Sequence, residues 1–256
     1  MKHSFIDQYS GLDSFVHRLD PRTKLLCSLA FILAVVLTPS GTWKVFAVYL
    51  LVLLVLIWLS RLPVKYILQR SLVIFPFVIM IAIFVPFFKQ GQVAASWDIG
   101  SWHIAITYEG LAVLVNVIVK SWLCILCLIV LSSSTKFEQL LHGMYRLRVP
   151  QVFVQITSFM YRYMFVLADQ AMRMQMARDS RNYGLNRSNI FKTMGNMIGM
   201  LFIRSYERAE RIYAAMLSRG YSGEIVVVNQ LRFRLPDAYF ALSLALLLIC
   251  PAILWW

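Results

Sequence analysis

Apolar residues run almost unbroken through four stretches of the first half of the chain, at about 24–40, 43–60, 72–88 and 110–132, and again from about 237 to 256. Each approaches the roughly 20 residues that an α-helix needs to cross a hydrocarbon core. Between the fourth and fifth stretches the period changes. From Ile190 to Arg219 the residues Phe191, Met194, Ile198, Leu201, Ser205, Ala209, Ile212 and Met216 recur at the spacing of one helical stripe. Lys192, Arg204, Glu207, Arg208 and Arg211 fall largely off it, and Glu207 is spaced to pair with Arg211 one turn on. A preceding amphipathic run, Pro150 to Arg181, predicts a helix roughly 45 Å long at about 1.5 Å per residue. A short helix is expected up to about Arg146, with Ser134-Thr135 as its cap and Glu138 in its first turn; Arg148-Val149-Pro150 then breaks it. The pattern predicts an all-α polytopic membrane protein of about five transmembrane helices plus long cytoplasmic amphipathic helices. Its divisions are an N-terminal segment (1–23), a four-helix transmembrane domain (24–133), an amphipathic helical region (134–234) and a C-terminal transmembrane helix (235–256).

Composition agrees, since 60% of the 256 residues are hydrophobic and only 14% charged. The net charge of +13 would suggest nucleic acid in a soluble protein, but here the distribution of charge decides. The N-terminus (Lys2, Arg18, Arg22, Lys24), the second connection (Arg61, Lys65, Arg70) and the whole of 136–234 are basic. The first and third connections hold little beyond Lys44, Lys89, Asp98 and Glu109. The positive-inside rule then puts the N-terminus in the cytoplasm and the C-terminus outside the cell inner (cytoplasmic) membrane, with the bilayer and no nucleic acid as surroundings. Met1 to Asp20 lacks an apolar central region, so no cleavable signal peptide is expected.

Candidate chemistry within the spans is sparse. Cys27, Cys124, Cys127 and Cys250 all fall in apolar stretches, where they read as packing rather than as a redox or zinc motif. None of the four histidines lies in a span; His17 and Met1-Lys2-His3 are assigned no metal, and no cofactor is expected. Asp20 before Pro21 is a helix start. Pro76 and Pro86 bend the third span, either to shape a cavity or as tolerated irregularities. The connection 89–109, with Trp97, Asp98, Trp102 and His103, reads as an outside loop or short hairpin. Asn116 and Lys120 share a face of the fourth span, and Lys120 is either functional or paired with a neighbouring helix. Gly195 and Gly199 form a GxxxG step that admits a closely crossing helix. Nine of the twelve methionines lie between Met160 and Met216, a composition that suits a repacking interface or an ordinary core. No GxxxxGK[ST] and no HExxH occurs, and paired carboxylates are missing from the spans, which argues against a P-loop ATPase, a zinc protease and a proton-driven carrier.

Two triplets remain: Ser180-Arg181-Asn182 and Ser218-Arg219-Gly220, closing the two amphipathic runs. A guanidinium at a helix C-terminus is favoured by the helix dipole and keeps donors for a carboxylate elsewhere. Gly220 suits a left-handed cap. These triplets, together with Asp7, Tyr9, His17-Arg18-Leu19-Asp20-Pro21-Arg22, Leu147-Arg148-Val149-Pro150 and Tyr161 to Leu167, resemble the transmembrane T component of energy-coupling factor (ECF) transporters, the cobalt-type CbiQ/EcfT family, over nearly the whole chain. The resemblance implies a non-enzymatic scaffold whose coupling helices contact two ATPase subunits, or an ATPase dimer, through Ser180, Arg181, Asn182, Ser218, Arg219 and Gly220. It also implies a substrate-binding membrane subunit (an S component or a CbiM-like protein) as second partner, cobalt ions as cargo, and a structural place for a basic residue such as Lys120. Asn182 stands where the family's usual glycine does, with Gly184 nearby. The alternative is a self-sufficient secondary permease or membrane enzyme whose basic helices bind lipid.

Overall fold

Asp20 and Pro21 begin the first long helix by the chemistry of their side chains: Asp20 Oδ1 accepts the Arg22 N–H at 2.9 Å, and Pro21, which has no N–H to satisfy, occupies the first turn. The computed structural model describes residues 14–39, 41–85, 93–99, 102–181, 187–223 and 235–254. Met1, Lys2, His3, Asp7, Tyr9, Pro86, Lys89, Asn182, Gly184, the β-branched stretch Ile225-Val226-Val227-Val228, which propensity predicts to be more extended than helical, Arg232, Arg234 and Trp255-Trp256 lie outside the described residues. The helices are α1 (Phe15–Arg18), α2 (Pro21–Leu37), α3 (Trp43–Ser60), α4 (Val64–Ala82), α5 (Tyr108–Ser134), α6 (Phe137–Arg146), α7 (Gln151–Arg181), α8 (Arg187–Leu217) and α9 (Leu235–Leu254). Between α4 and α5, β1 (Val93–Ile99) and β2 (Trp102–Thr107) pair as an antiparallel hairpin with Asp98 opposite His103 and a register shift between Val93 and Ala95. The hairpin alternative for this connection is the one adopted.

The architecture is that of an all-α membrane protein. Among the described residues three helices, α3, α4 and α5, are long and apolar enough to cross a bilayer. The 17 residues of α2 and the 20 of α9 coincide with the first and fifth apolar stretches. Helix α4 begins at Val64 rather than at 72, because an apolar run marks only the part of a helix that lipid can bathe and Lys65 and Arg70 extend the same helix beyond it.

The polypeptide forms two compact units, Met1–Leu147 with Leu231–Trp256, and Arg148–Gln230. In the first, Phe31 and Val35 of α2, Tyr49 and Leu53 of α3 and Leu123 of α5 are almost wholly buried, and Leu244 and Leu248 of α9 join them. Phe31 and Tyr49 meet edge to face at 5.7 Å, the arrangement that aromatic quadrupoles favour. Cys27 and Cys127 are buried free thiols in this core, and Cys124 is partly buried.

Lys120 has a structural role. Its Nζ donates to Val36 O at 2.9 Å and to Thr38 O at 2.6 Å, so a cation on α5 satisfies carbonyls left open at the C-terminal end of α2. In lipid those oxygens have no water to turn to. Lys120→Met, which keeps the stem and removes the donors, is expected to lower stability by about 1–3 kcal/mol. Thermal unfolding in detergent tests this; an unchanged midpoint would show that the contact is dispensable.

The expected cap of the short helix after the fourth apolar stretch differs. Ser134 is the last residue of α5 and bonds back to Leu131 O at 3.3 Å, while Lys136 takes the N-cap position of α6 without a side-chain cap. The reason is competition: Ser134 O and Thr135 Oγ1 are engaged instead by Lys24 Nζ, at 3.0 and 3.3 Å.

Candidate functional site

The second unit is built from α7 and α8, each of 31 residues. The α8 stripe predicted from sequence faces α7: Ser205, Ala209, Ile212 and Met216 line one groove with Phe159 and Tyr163, and Met194, Ile198 and Leu201 line another with Ala171 and Met174. Low numbers on one helix oppose high numbers on the other, so the pair is antiparallel. Phe191, at the start of the stripe, is 75% exposed. Arg211 Nε donates to the main-chain oxygen of Glu207 at 3.3 Å instead of pairing with its carboxylate, since an exposed i, i+4 ion pair gives only tenths of a kcal/mol to hold the carboxylate in place.

Each helix ends in one of the triplets, and the two ends match in detail. Ser180 Oγ donates to Ala177 O at 3.0 Å, and Ser218 Oγ donates to Ala215 O at 3.0 Å. Each hydroxyl is thereby turned back on its own helix, and Arg181 and Arg219 are left exposed beside it. Arg181 is the last helical residue of α7, preceded by an Arg178–Asp179 ion pair at 2.6 Å. Arg219 lies two residues beyond α8, in a turn closed by Gly220 at φ +81° and by the bond from Tyr221 N–H to Met216 O at 3.1 Å. A side chain at residue 220 would be strained in that left-handed conformation, which is why glycine stands there.

The turn after the second triplet is anchored to the first turns of α7. Tyr221 Oη donates to Gln155 Oε1 at 3.2 Å, and Gln155 Nε2 donates to Gly223 O at 2.9 Å. Gln155 has no periodic or motif signal that would have revealed this role. Because the helices are antiparallel, Arg181 and Arg219 mark opposite ends of the pair, about 45 Å apart at about 1.5 Å per residue. Asn182 completes the first triplet in sequence but lies outside the described residues.

Chemically, this arrangement offers two separated cations on rigid helix ends, suited to carboxylates on another protein. Among the described residues no three His, Cys, Asp or Glu side chains form a group that would hold a metal ion. His17 Nδ1 is 2.6 Å from Ser14 Oγ, a local capping contact.

The described residues of the N-terminal signature come together in the first unit. Asp20 N–H donates to Asp237 Oδ1 of α9 at 2.8 Å, and Lys24 Nζ reaches His17 O at 3.2 Å as well as the end of α5. Asp20, Lys24 and Asp237 are all at most 6% exposed. Sequence reading counted Lys24 only as a basic flank and overlooked Asp237, although a carboxylate in the first turn of an apolar helix is a usable signal for a partner.

A family model described as cobalt transport protein, CbiQ, matches residues 13–228. An uncharacterized protein of Methanocaldococcus jannaschii is 29% identical over 242 residues, covering 93% of this chain and 82% of that protein. The energy-coupling factor transporter transmembrane protein EcfT of Lacticaseibacillus paracasei is 30% identical over 236 residues, 87% of each chain. EcfT of Clostridium kluyveri is 28% identical over 272 residues, covering 100% of this chain and 99% of its own length.

Proposed function

Given that the chain belongs to the CbiQ/EcfT family, the transmembrane T component of energy-coupling factor transporters, we propose that it is the non-catalytic coupling subunit of an ATP-driven importer, with cobalt ions as cargo. Two ATPase subunits dock at the two triplets, Arg181 and Arg219 entering carboxylate-bearing grooves, with Ser180, Asn182, Ser218 and Gly220 allowing close approach. Closure of the ATPases on ATP displaces α7 and α8, and that motion reorients a substrate-binding membrane subunit. The chain sits in the cytoplasmic membrane with its N-terminus inside and its C-terminus outside, the orientation its basic segments favour. The observation that carries this reading is the matched pair of helix ends: the same serine contact and the same exposed arginine at both ends of one antiparallel pair. Two equivalent sites about 45 Å apart suit a two-fold or pseudo-two-fold partner.

Copurification of the tagged chain with its neighbouring gene products, followed by an ATP hydrolysis assay, tests the proposal. Recovery of ATPases is expected. A chain that purifies alone and transports a solute unaided in liposomes would instead be a permease, and the triplets merely helix caps.

The face that meets the substrate subunit is expected to include the GxxxG step of α8. A Cβ built at Gly195 or at Gly199 meets nothing within 4 Å, so neither glycine is required by the packing of this chain itself. Gly195→Leu/Gly199→Leu is therefore expected to leave the protein as stable as before or more so, leucine being the better helix former by about 1 kcal/mol per site. Recovery of the substrate subunit is expected to fall at least about tenfold, because bulk on a GxxxG face prevents close helix approach. Unaltered recovery of that subunit would remove this face from the interface.

A further inference from the structure

Alongside the apolar grooves of the second unit lies a basic one, of which the docking of ATPases uses only Arg181 at the edge. It has a volume of about 710 Å³ and is lined by Arg173 and Arg181 of α7 and by Arg204 and Arg208 of α8, against a single carboxylate, Asp169. Arg204 and Arg208 are one turn apart and share a face. One carboxylate does not balance four guanidiniums, so the groove keeps an excess of positive charge that attracts a further anion. The planar forks of arginine match phosphate oxygens in pairs, which ammonium groups do not.

Gln170 completes the polar lining, and the rest of the wall is apolar, formed by Val166, Met174 and Ala177. An acidic protein segment would satisfy the arginines and leave these side chains in water. A ligand with a phosphate head and hydrocarbon tails covers both, and a membrane protein with basic amphipathic helices has such a ligand at hand. From this combination we infer that the groove of Arg173, Arg204 and Arg208, with Arg181 at its edge, binds the phosphate of an anionic phospholipid.

The test is native mass spectrometry of the full-length chain in detergent, titrated with phosphatidylglycerol or phosphatidylcholine. Wild type is expected to retain phosphatidylglycerol at least about tenfold better than phosphatidylcholine, and Arg204→Gln/Arg208→Gln to lose that preference, as removal of paired charge-assisted contacts requires. Arg173→Gln is expected to weaken it partially and serves as a second, milder variant. Arg162→Gln/Arg211→Gln removes the same amount of charge from α7 and α8 outside the groove and is expected to change retention by less than about threefold. An equal loss in the control pair, or no preference in wild type, overturns the proposal. So does full displacement by soluble glycerol phosphate, which would make the groove a free-phosphate site. Retention of lipid by the groove variant together with loss of the ATPases would assign the groove to an acidic protein surface instead.

Discussion

Arg181→Glu combined with Arg219→Glu is expected to abolish recovery of ATPase subunits with the chain and to abolish uptake, while leaving the protein folded and inserted. Both side chains are exposed at helix ends, so the internal cost of reversal is confined to an unfavourable meeting with the helix dipole, about 0.3–1 kcal/mol at each end. At an interface the cost is larger. A carboxylate facing the partner's carboxylate loses a charge-assisted pair and adds a repulsion, together about 2–5 kcal/mol, or some 30- to 5,000-fold in affinity. The two sites are about 45 Å apart and share no neighbours, so their effects on stability should add. Their effects on assembly should do more than add if the ATPases dimerise, because the second docking event is then intramolecular and either single reversal forfeits that advantage. Each single variant is expected to bind ATPases weakly and to lose them on washing. Full assembly and uptake in the double variant would remove the triplets from the docking site.

What was legible in the sequence is what periodicity and termination signals carry. The boundaries of α3 and α7 follow from unbroken apolar or amphipathic runs ended by Arg61 in a left-handed conformation and by the first triplet. The left-handed turn at Gly220 follows from a glycine standing where the second amphipathic run ends. Lys120 was legible as a question, because a cation within a span must find oxygen; which carbonyls it finds depends on the packing of α5 against α2. Contacts between residues far apart in sequence were not legible. Gln155 bonds to Gly223, and Asp20 to Asp237, across 68 and 217 residues, and no local pattern encodes either. The groove of four arginines was missed for a related reason. Read along each helix the arginines are a solvated face, and only the antiparallel register sets those of α7 beside those of α8.

The N-terminal signature illustrates how a motif shared with a family can serve the fold instead of the partner. Lys24→Met is expected to destabilise the first unit by about 3–5 kcal/mol, the usual consequence of removing one partner from a buried charged network. Methionine retains the length and apolar stem of lysine, so the loss is not one of packing. What disappears is a donor to His17 O, Ser134 O and Thr135 Oγ1, which leaves the ends of α1 and α5 with oxygens short of a donor at a site where Lys24 is only 5% exposed. It also leaves Asp20 and Asp237, 6% and 2% exposed, as two carboxylates without the buried cation between the same helices. Asp237→Leu taken alone should be costly too, since the Asp20 N–H loses its acceptor. Lys24→Met/Asp237→Leu should then cost less than the sum of the two, because each change removes the charge that the other strands. At about 2–4 °C per kcal/mol for a chain of this size, the single lysine variant should unfold some 6–20 °C lower in detergent. A midpoint within about 2 °C of wild type, or strict additivity in the double variant, would mean that these three residues do not act as one network. In that event the signature would have to be explained by a partner, and the separation drawn between residues that hold the membrane helices together and residues that meet the ATPases would fail.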